Sequence, residues 1–188
     1  MKCLLINGSH RNAGNTEMLL SAMKIEFEKH EAETETVSLA VLPLEHCRAC
    51  DSCKGTSRCL IEDGFNPLLQ KILEAGVLII GTPVYVGMPS SRMVALLQRL
   101  TYLALSNEHI LKNKIGVGVV VAGEAGHMTA FNSIVDFFLV NEMIVPGSHY
   151  WPIGTATKRG EIQNDVSAIE NVKYLAQKIV HLKSGGVW

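Results

Sequence analysis

The sequence carries almost no net charge, with 17 lysines and arginines against 18 aspartates and glutamates. Lacking a cationic surplus, and any run of lysine and arginine interleaved with aromatics, it disfavours a nucleic-acid partner. No apolar run approaches the roughly 18 residues that a membrane span requires, and no basic segment followed by an apolar one precedes the first strand. A cytoplasmic protein without a membrane partner is the expectation, and in that compartment five cysteines point to thiols or metal ligands rather than disulfides. Two phosphate signatures are also missing. Gly8 and Gly14 do not fall at G-x-G-x-x-G spacing, Gly116 and Gly118 lie inside an apolar run without a third glycine, and no Gly-Lys-Ser/Thr follows the first strand. A cysteine phosphatase needs its nucleophile five residues before an arginine in the first loop. Here Asn7 and Ser9 occupy that region and Cys3 lies too far back, while an acidic phospho-accepting cluster is absent.

What is present is a repeating alternation over residues 1–188, with no internal repeat and no linker, which predicts a single domain. Cys3–Ile6 reads as a buried strand, and Leu19, Met23 and Phe27 mark the inner face of the helix that follows. Thr34–Leu39 is a less apolar strand, suited to a sheet edge. Asn66 and Pro67 open a second helix that Gly76 closes, and Val77–Ile80 is a strand of the kind buried on both faces. Gly81–Ser91 reads as a loop. Met93, Leu96, Leu97, Leu100 and Leu103 make the stripe of a third helix, Ile115–Ala122 the fourth strand, and Ala130, Ile134, Phe137 and Phe138 the next helical face. Met143–Val145 is a weak fifth strand stopped by Pro146, and a last helix runs through Ile169 and Leu182 before a tail, 184–188, that reads as flexible. Five strands alternating with five helices predict an α/β doubly wound parallel sheet. The flavodoxin-like order 2-1-3-4-5 would place a ligand crevice at the carboxyl ends of strands one and three.

Gly8-Ser9-x-Arg11-x-x-Gly14-Asn15-Thr16 leads from strand one into a helix N-terminus, whose first N–H groups lack internal partners and carry partial positive charge. Ser9, Asn15 and Thr16 add neutral donors and Arg11 a cation, which suits a phosphate; the same residues would also serve a solvated turn that merely caps the helix. Pro83-Val84-Tyr85-Val86-Gly87 leaves strand three at the same rim, where backbone N–H and C=O groups free of sheet pairing could meet a flat heteroaromatic. Gly123 and Glu124 follow strand four. These motifs resemble the flavodoxin-like NADPH-dependent FMN reductases. The resemblance implies that the first loop holds the FMN phosphate, that the Pro-x-Tyr-x-Gly segment lies beside the flavin ring, and that the loop from Gly123 to Gly126 is a third flavin loop. NAD(P)H would then dock transiently, the flavin would carry the chemistry without a catalytic side chain, and the chain would form a homodimer or homotetramer. Trp151 and Trp188 are candidate contacts in such an assembly.

Cys47, Cys50, Cys53 and Cys59 form the second chemical signal. Three cysteines separated by two residues, then a fourth after five, bring four thiols within thirteen residues. That compactness is typical of an iron–sulfur cluster, whereas zinc usually takes two C-x-x-C knuckles over a longer spacer; zinc and free or oxidised thiols remain open readings. Arg48, Lys54 and Arg58 would help to stabilise thiolates in any of these states. The pattern resembles that of the iron–sulfur flavoproteins, a branch of the same family, and implies that the four cysteines ligate a [4Fe–4S] cluster. Such a protein would reduce a flavin, quinone or other small acceptor, or carry electrons between redox proteins. Cys3 reads as a small buried apolar residue.

Overall fold

A computed structural model describes residues 1–186; Val187 and Trp188, the end of the expected flexible tail and one candidate assembly contact, lie outside the described residues. The sheet is built from β1 (Lys2–Asn7), β2 (Glu33–Ser38), β3 (Val77–Tyr85), β5 (Ile115–Ala122) and β6 (Ile153–Thr155), all parallel in the order β2-β1-β3-β5-β6, with β4 (Met88–Pro89) antiparallel to the end of β3. This is the expected flavodoxin-like arrangement, with β4 as an added hairpin strand. Helices α1 (Asn15–Lys29) and α5 (Val166–Lys183) cover one face, and α2 (Phe65–Glu74), α3 (Ser91–Leu105) and α4 (His127–Val140) cover the other. Each face has its own core. Leu5, Ile79 and Val119 point to the α1/α5 side and Leu4, Ile80 and Val120 to the other, so the central strands are apolar on both faces through their middle. The polar strand β2 lies at the edge, as its composition suggests.

Three boundaries differ from the sequence expectation. The segment 81–85, expected to be a loop free of pairing, continues β3: Thr82 and Pro83 pair with Val120 and Val121, and Val84 with Pro89. Pro83 is tolerated because β1 ends at Asn7 opposite Gly81. The Gly81 carbonyl accepts from Gly8 N on the β1 side, so the Pro83 nitrogen, two residues on, faces an edge that β1 has already left. The expected fifth strand at Met143–Val145 is reduced to one bridge between Ile144 and Ile115, and the chain leaves the sheet at Pro146 to return as β6. Finally, Asn66 does not cap α2. Gly64 is the cap residue, the Asp63 carboxylate accepts from Phe65 N, and Asn66 instead grips the backbone of Cys59.

Close packing fixes some glycines. A Cβ on Gly116 would lie 2.5 Å from the ring of fully buried Phe138. Gly116→Ala is expected to destabilise the fold by about 1–3 kcal/mol, the usual cost of overpacking, measured as a lower urea midpoint at unchanged slope.

Candidate flavin crevice and four-cysteine pocket

The carboxyl ends of β1, β3 and β5 meet at one rim. β1 ends in Asn7, whose Oδ1 accepts from Ser9 N at 3.0 Å, and the buried Ser9 hydroxyl accepts from Arg11 N at 3.2 Å. These two side chains wind the loop before α1. The first N–H to bond inside α1 is that of Met18, to Gly14 O, which leaves those of Asn15, Thr16 and Glu17 as N-terminal donors. Ser9, Arg11, Asn15 and Thr16 line a crevice whose other wall is Pro83, Val84, Tyr85 and Gly123. Val121, Ala122, Ala156 and Thr157 complete it.

The Asn15 side chain, one of the expected donors, is already engaged. Asn15 Nδ2 donates to Lys158 O at 2.8 Å and its Oδ1 accepts from Ile162 N at 3.4 Å, so this side chain ties α1 to the segment after β6. Glu17 accepts from Ala13 N at 2.8 Å, placing a carboxylate within the loop. Arg11 remains the exposed cation of the motif, and Arg159, which the motif did not predict, reaches the loop through Nε to Ala13 O at 3.4 Å. Three residues of the sequence set do not line the crevice. Glu124 is exposed beyond it, and Val86 and Gly87 form the tip of the β3–β4 hairpin. Ala156 and Thr157 went unpredicted because β6 is too short, and interrupted by Gly154, to give an apolar pattern.

The hairpin tip is a two-residue turn in which Val86 (φ 51°) and Gly87 (φ 75°) are both left-handed, the arrangement that suits the twist of adjoining strands. Gly126, itself at φ 87°, packs against it so closely that a Cβ there would sit 2.9 Å from Gly87 Cα. A β-branched residue in this conformation is strained, and Val86 is fully exposed, so no packing offsets the strain. Val86→Asn is expected to raise stability by up to about 1 kcal/mol in urea denaturation.

The four cysteines of the irregular loop, Cys47, Cys50, Cys53 and Cys59, line one small pocket together with Arg99, Tyr102 and Leu103 of α3. All are free thiols. Among the described residues no three His, Cys, Asp or Glu side chains are arranged as metal ligands, so the thiols share the cavity without converging on one point. The loop is held from outside by side chains that sequence reasoning did not single out. Asn66 exchanges two hydrogen bonds of 2.9 Å with the Cys59 backbone, and Asn107 donates to Cys53 O at 2.8 Å and accepts from Ser57 N at 3.1 Å. Tyr102 donates to the Asp51 carboxylate, which also pairs with Lys54, and this hydrogen bond is the main reason its phenol is pushed up to about 12. Cys53 is raised by burial, while Cys50 is lowered chiefly by hydrogen bonding from Ser52.

Beneath the loop, Arg99 and Asp63 form an ion pair at 2.6 Å with side chains 1% and 7% exposed. Burial alone would push the Asp63 carboxyl up, but hydrogen bonds from Arg99 and from the N–H groups of Glu45 and Phe65 hold it down. Burial likewise works against the Arg99 charge, but Asp63 and the neighbouring Cys59 outweigh it. Arg99 Nε and Nη2 are buried and make no hydrogen bond of acceptable geometry, even to Cys59. Four thiols round a cavity with unspent guanidinium donors fit a negatively charged group bound through thiolates. The crevice at the carboxyl ends of β1, β3 and β5 fits a phosphate at its α1 end and a planar ring against β3.

A doubly wound sheet with a crevice at the point where strand order reverses defines a flavodoxin-like protein. The chain belongs to the NADPH-dependent FMN reductase family, whose model matches residues 1–158. It is similar to an iron–sulfur flavoprotein of Methanocaldococcus jannaschii, 33% identical over 97% of each chain. An iron–sulfur flavoprotein of Methanosarcina thermophila is 30% identical over 95% of this chain and 93% of its own. Among solved structures, a WrbA-like flavodoxin of Agrobacterium tumefaciens superposes with a TM-score of 0.66 at 14% identity over 99% of both chains, a likeness of fold. Among the described residues no helix is long and apolar enough to cross a membrane.

Proposed function

We propose that the chain is an FMN-dependent oxidoreductase that takes electrons from NADH or NADPH and passes them to a flavin, a quinone or another small acceptor, with a [4Fe–4S] cluster in the cysteine loop. The observation that carries this reading is the meeting of Ser9, Arg11 and Thr16 with Pro83, Val84, Tyr85 and Gly123 round one crevice. Bound FMN would accept hydride from the nicotinamide and release electrons singly or in pairs. The chain's own residues bind and orient. The free N–H groups of α1, the Ser9 and Thr16 hydroxyls and Arg11 would hold the phosphate. Pro83, Val84, Tyr85 and Gly123 would flank the ring, with Val86, Gly87 and Glu124 reaching it only at its outer edge. Tyr85, Val86 and Met88, exposed on the hairpin, are apolar enough to take a nicotinamide or a second subunit of a homodimer or homotetramer.

Cys47, Cys50, Cys53 and Cys59 would hold the cluster, which supplies one-electron transfer. The exposure of Cys50 at the surface favours a second reading, an electron carrier between protein partners that does not itself turn over NAD(P)H. Anaerobic purification followed by an absorption spectrum, iron and sulfide analysis, and NAD(P)H oxidation with an artificial acceptor tests both. Flavin absorbance with NAD(P)H oxidation supports the enzyme; flavin and iron without NAD(P)H oxidation favours the carrier; absence of flavin overturns both.

A further inference from the structure

We propose that Arg99 is a positioning residue of the four-cysteine pocket, a fixed buried cation that raises the reduction potential of the cluster held there. This rests on the cluster reading above. The arginine stands in the otherwise apolar inner stripe of α3, between buried Leu96, Leu100 and Leu103, where helix packing gives no reason for a guanidinium. Burying such a charge is costly unless its donors are used. Only part of it is used. Nη1 serves Asp63 at 2.6 Å and Glu45 O at 3.2 Å, and the planar group stacks 4.1 Å from the centre of the Phe65 ring. Nε and Nη2 are left without acceptors on a residue that lines the thiol cavity, beside Cys59.

Asp63 does not account for the arginine. Its carboxylate already accepts from Glu45 N at 2.9 Å and Phe65 N at 3.0 Å, and it orients one edge of the guanidinium so that the other faces the cysteines. The cations that the sequence offered, Arg48, Lys54 and Arg58, are all exposed; Lys54 pairs with Asp51 and Arg58 with Glu62. Water and salt screen those charges, whereas Arg99 acts through a low-dielectric interior. Reduction adds one electron to a thiolate-bound group, takes up no proton, and makes it one unit more negative. A fixed neighbouring cation therefore favours the reduced form.

The test is a spectroelectrochemical titration of anaerobically reconstituted full-length protein, with iron and sulfide assayed per chain. Arg99→Lys keeps a cation. Arg99→Met removes it, and Asp63→Asn with Arg99→Met removes it without leaving a carboxylate buried and unpaired, guarding against simple misfolding. Both methionine variants are expected to lower the ratio of reduced to oxidised cluster at a given potential at least tenfold, about 59 mV for a one-electron couple. Arg99→Lys should stay near the wild type. Loss of the cluster from both methionine variants leaves no potential to shift and overturns the proposal, making Arg99 a structural support of the loop. An unchanged potential at full iron content overturns the proposal alone, as does loss of the cluster from Arg99→Lys as well, which would make the arginine merely structural. A wild-type protein that takes up no iron and sulfide overturns the cluster reading, and this proposal with it.

Discussion

Arg11→Glu is expected to weaken FMN binding by about 10- to 150-fold, the range of a hydrogen bond to a charged group, while riboflavin binding stays within a factor of two or so. The contrast isolates the phosphate. Both flavins present the same ring to Pro83, Val84 and Tyr85, so a change confined to FMN must act at the α1 end of the crevice. Glu17 already places one carboxylate in this loop through Ala13 N, and a second at position 11 leaves Arg159 as the cation nearest the loop backbone. Fluorescence titration of the apoprotein with each flavin is the measurement. Equal losses for the two would place Arg11 beside the ring instead, and no loss for either would remove the phosphate from this loop.

The parts of this site that could be read from the sequence are those set by local chemistry. Cys3–Ile6 and Ile115–Ala122 are apolar at every position, and the loop after β1 carries its polar residues within eight positions, Ser9 to Thr16, so both the strands and the loop that walls the crevice were legible. The length of β3 was not. Gly81, Thr82 and Pro83 look like breakers, and only the early end of β1 makes a proline harmless there. β6 was hidden for the opposite reason: Met143–Val145 is the more apolar segment, yet Pro146 ends its pairing, and the sheet is completed by three residues containing a glycine. For the cysteine loop, spacing exposed the thiols but not what holds them. Asn66 read as a helix cap, and Asn107 and Tyr102 lie some fifty residues away in sequence, a distance at which no local pattern speaks. Arg99 did leave a trace, as the one charged residue among the leucines of the α3 stripe.

That trace has the largest consequence for stability. Asp63→Ala is expected to destabilise the protein by about 3–5 kcal/mol, the usual effect of removing one partner from a buried ion pair, because Arg99 is left charged and unpaired in the core. The damage spreads through two further bonds. Glu45 N and Phe65 N lose their acceptor, so the chain entering the cysteine loop and the first turn of α2 both loosen. Asn66 in that turn then holds Cys59 less firmly. Unfolding should therefore start here, and hydrogen exchange at 45–66 should accelerate more than at Leu4–Ile6 or Val117–Val120 in the central strands. Asp63→Leu with Arg99→Met removes both charges and should recover much of the loss in urea denaturation, since an apolar pair of similar volume is often as stable as the ion pair it replaces. If the double variant is no more stable than Asp63→Ala, the cost lies in the carboxylate's backbone bonds and not in the orphaned guanidinium.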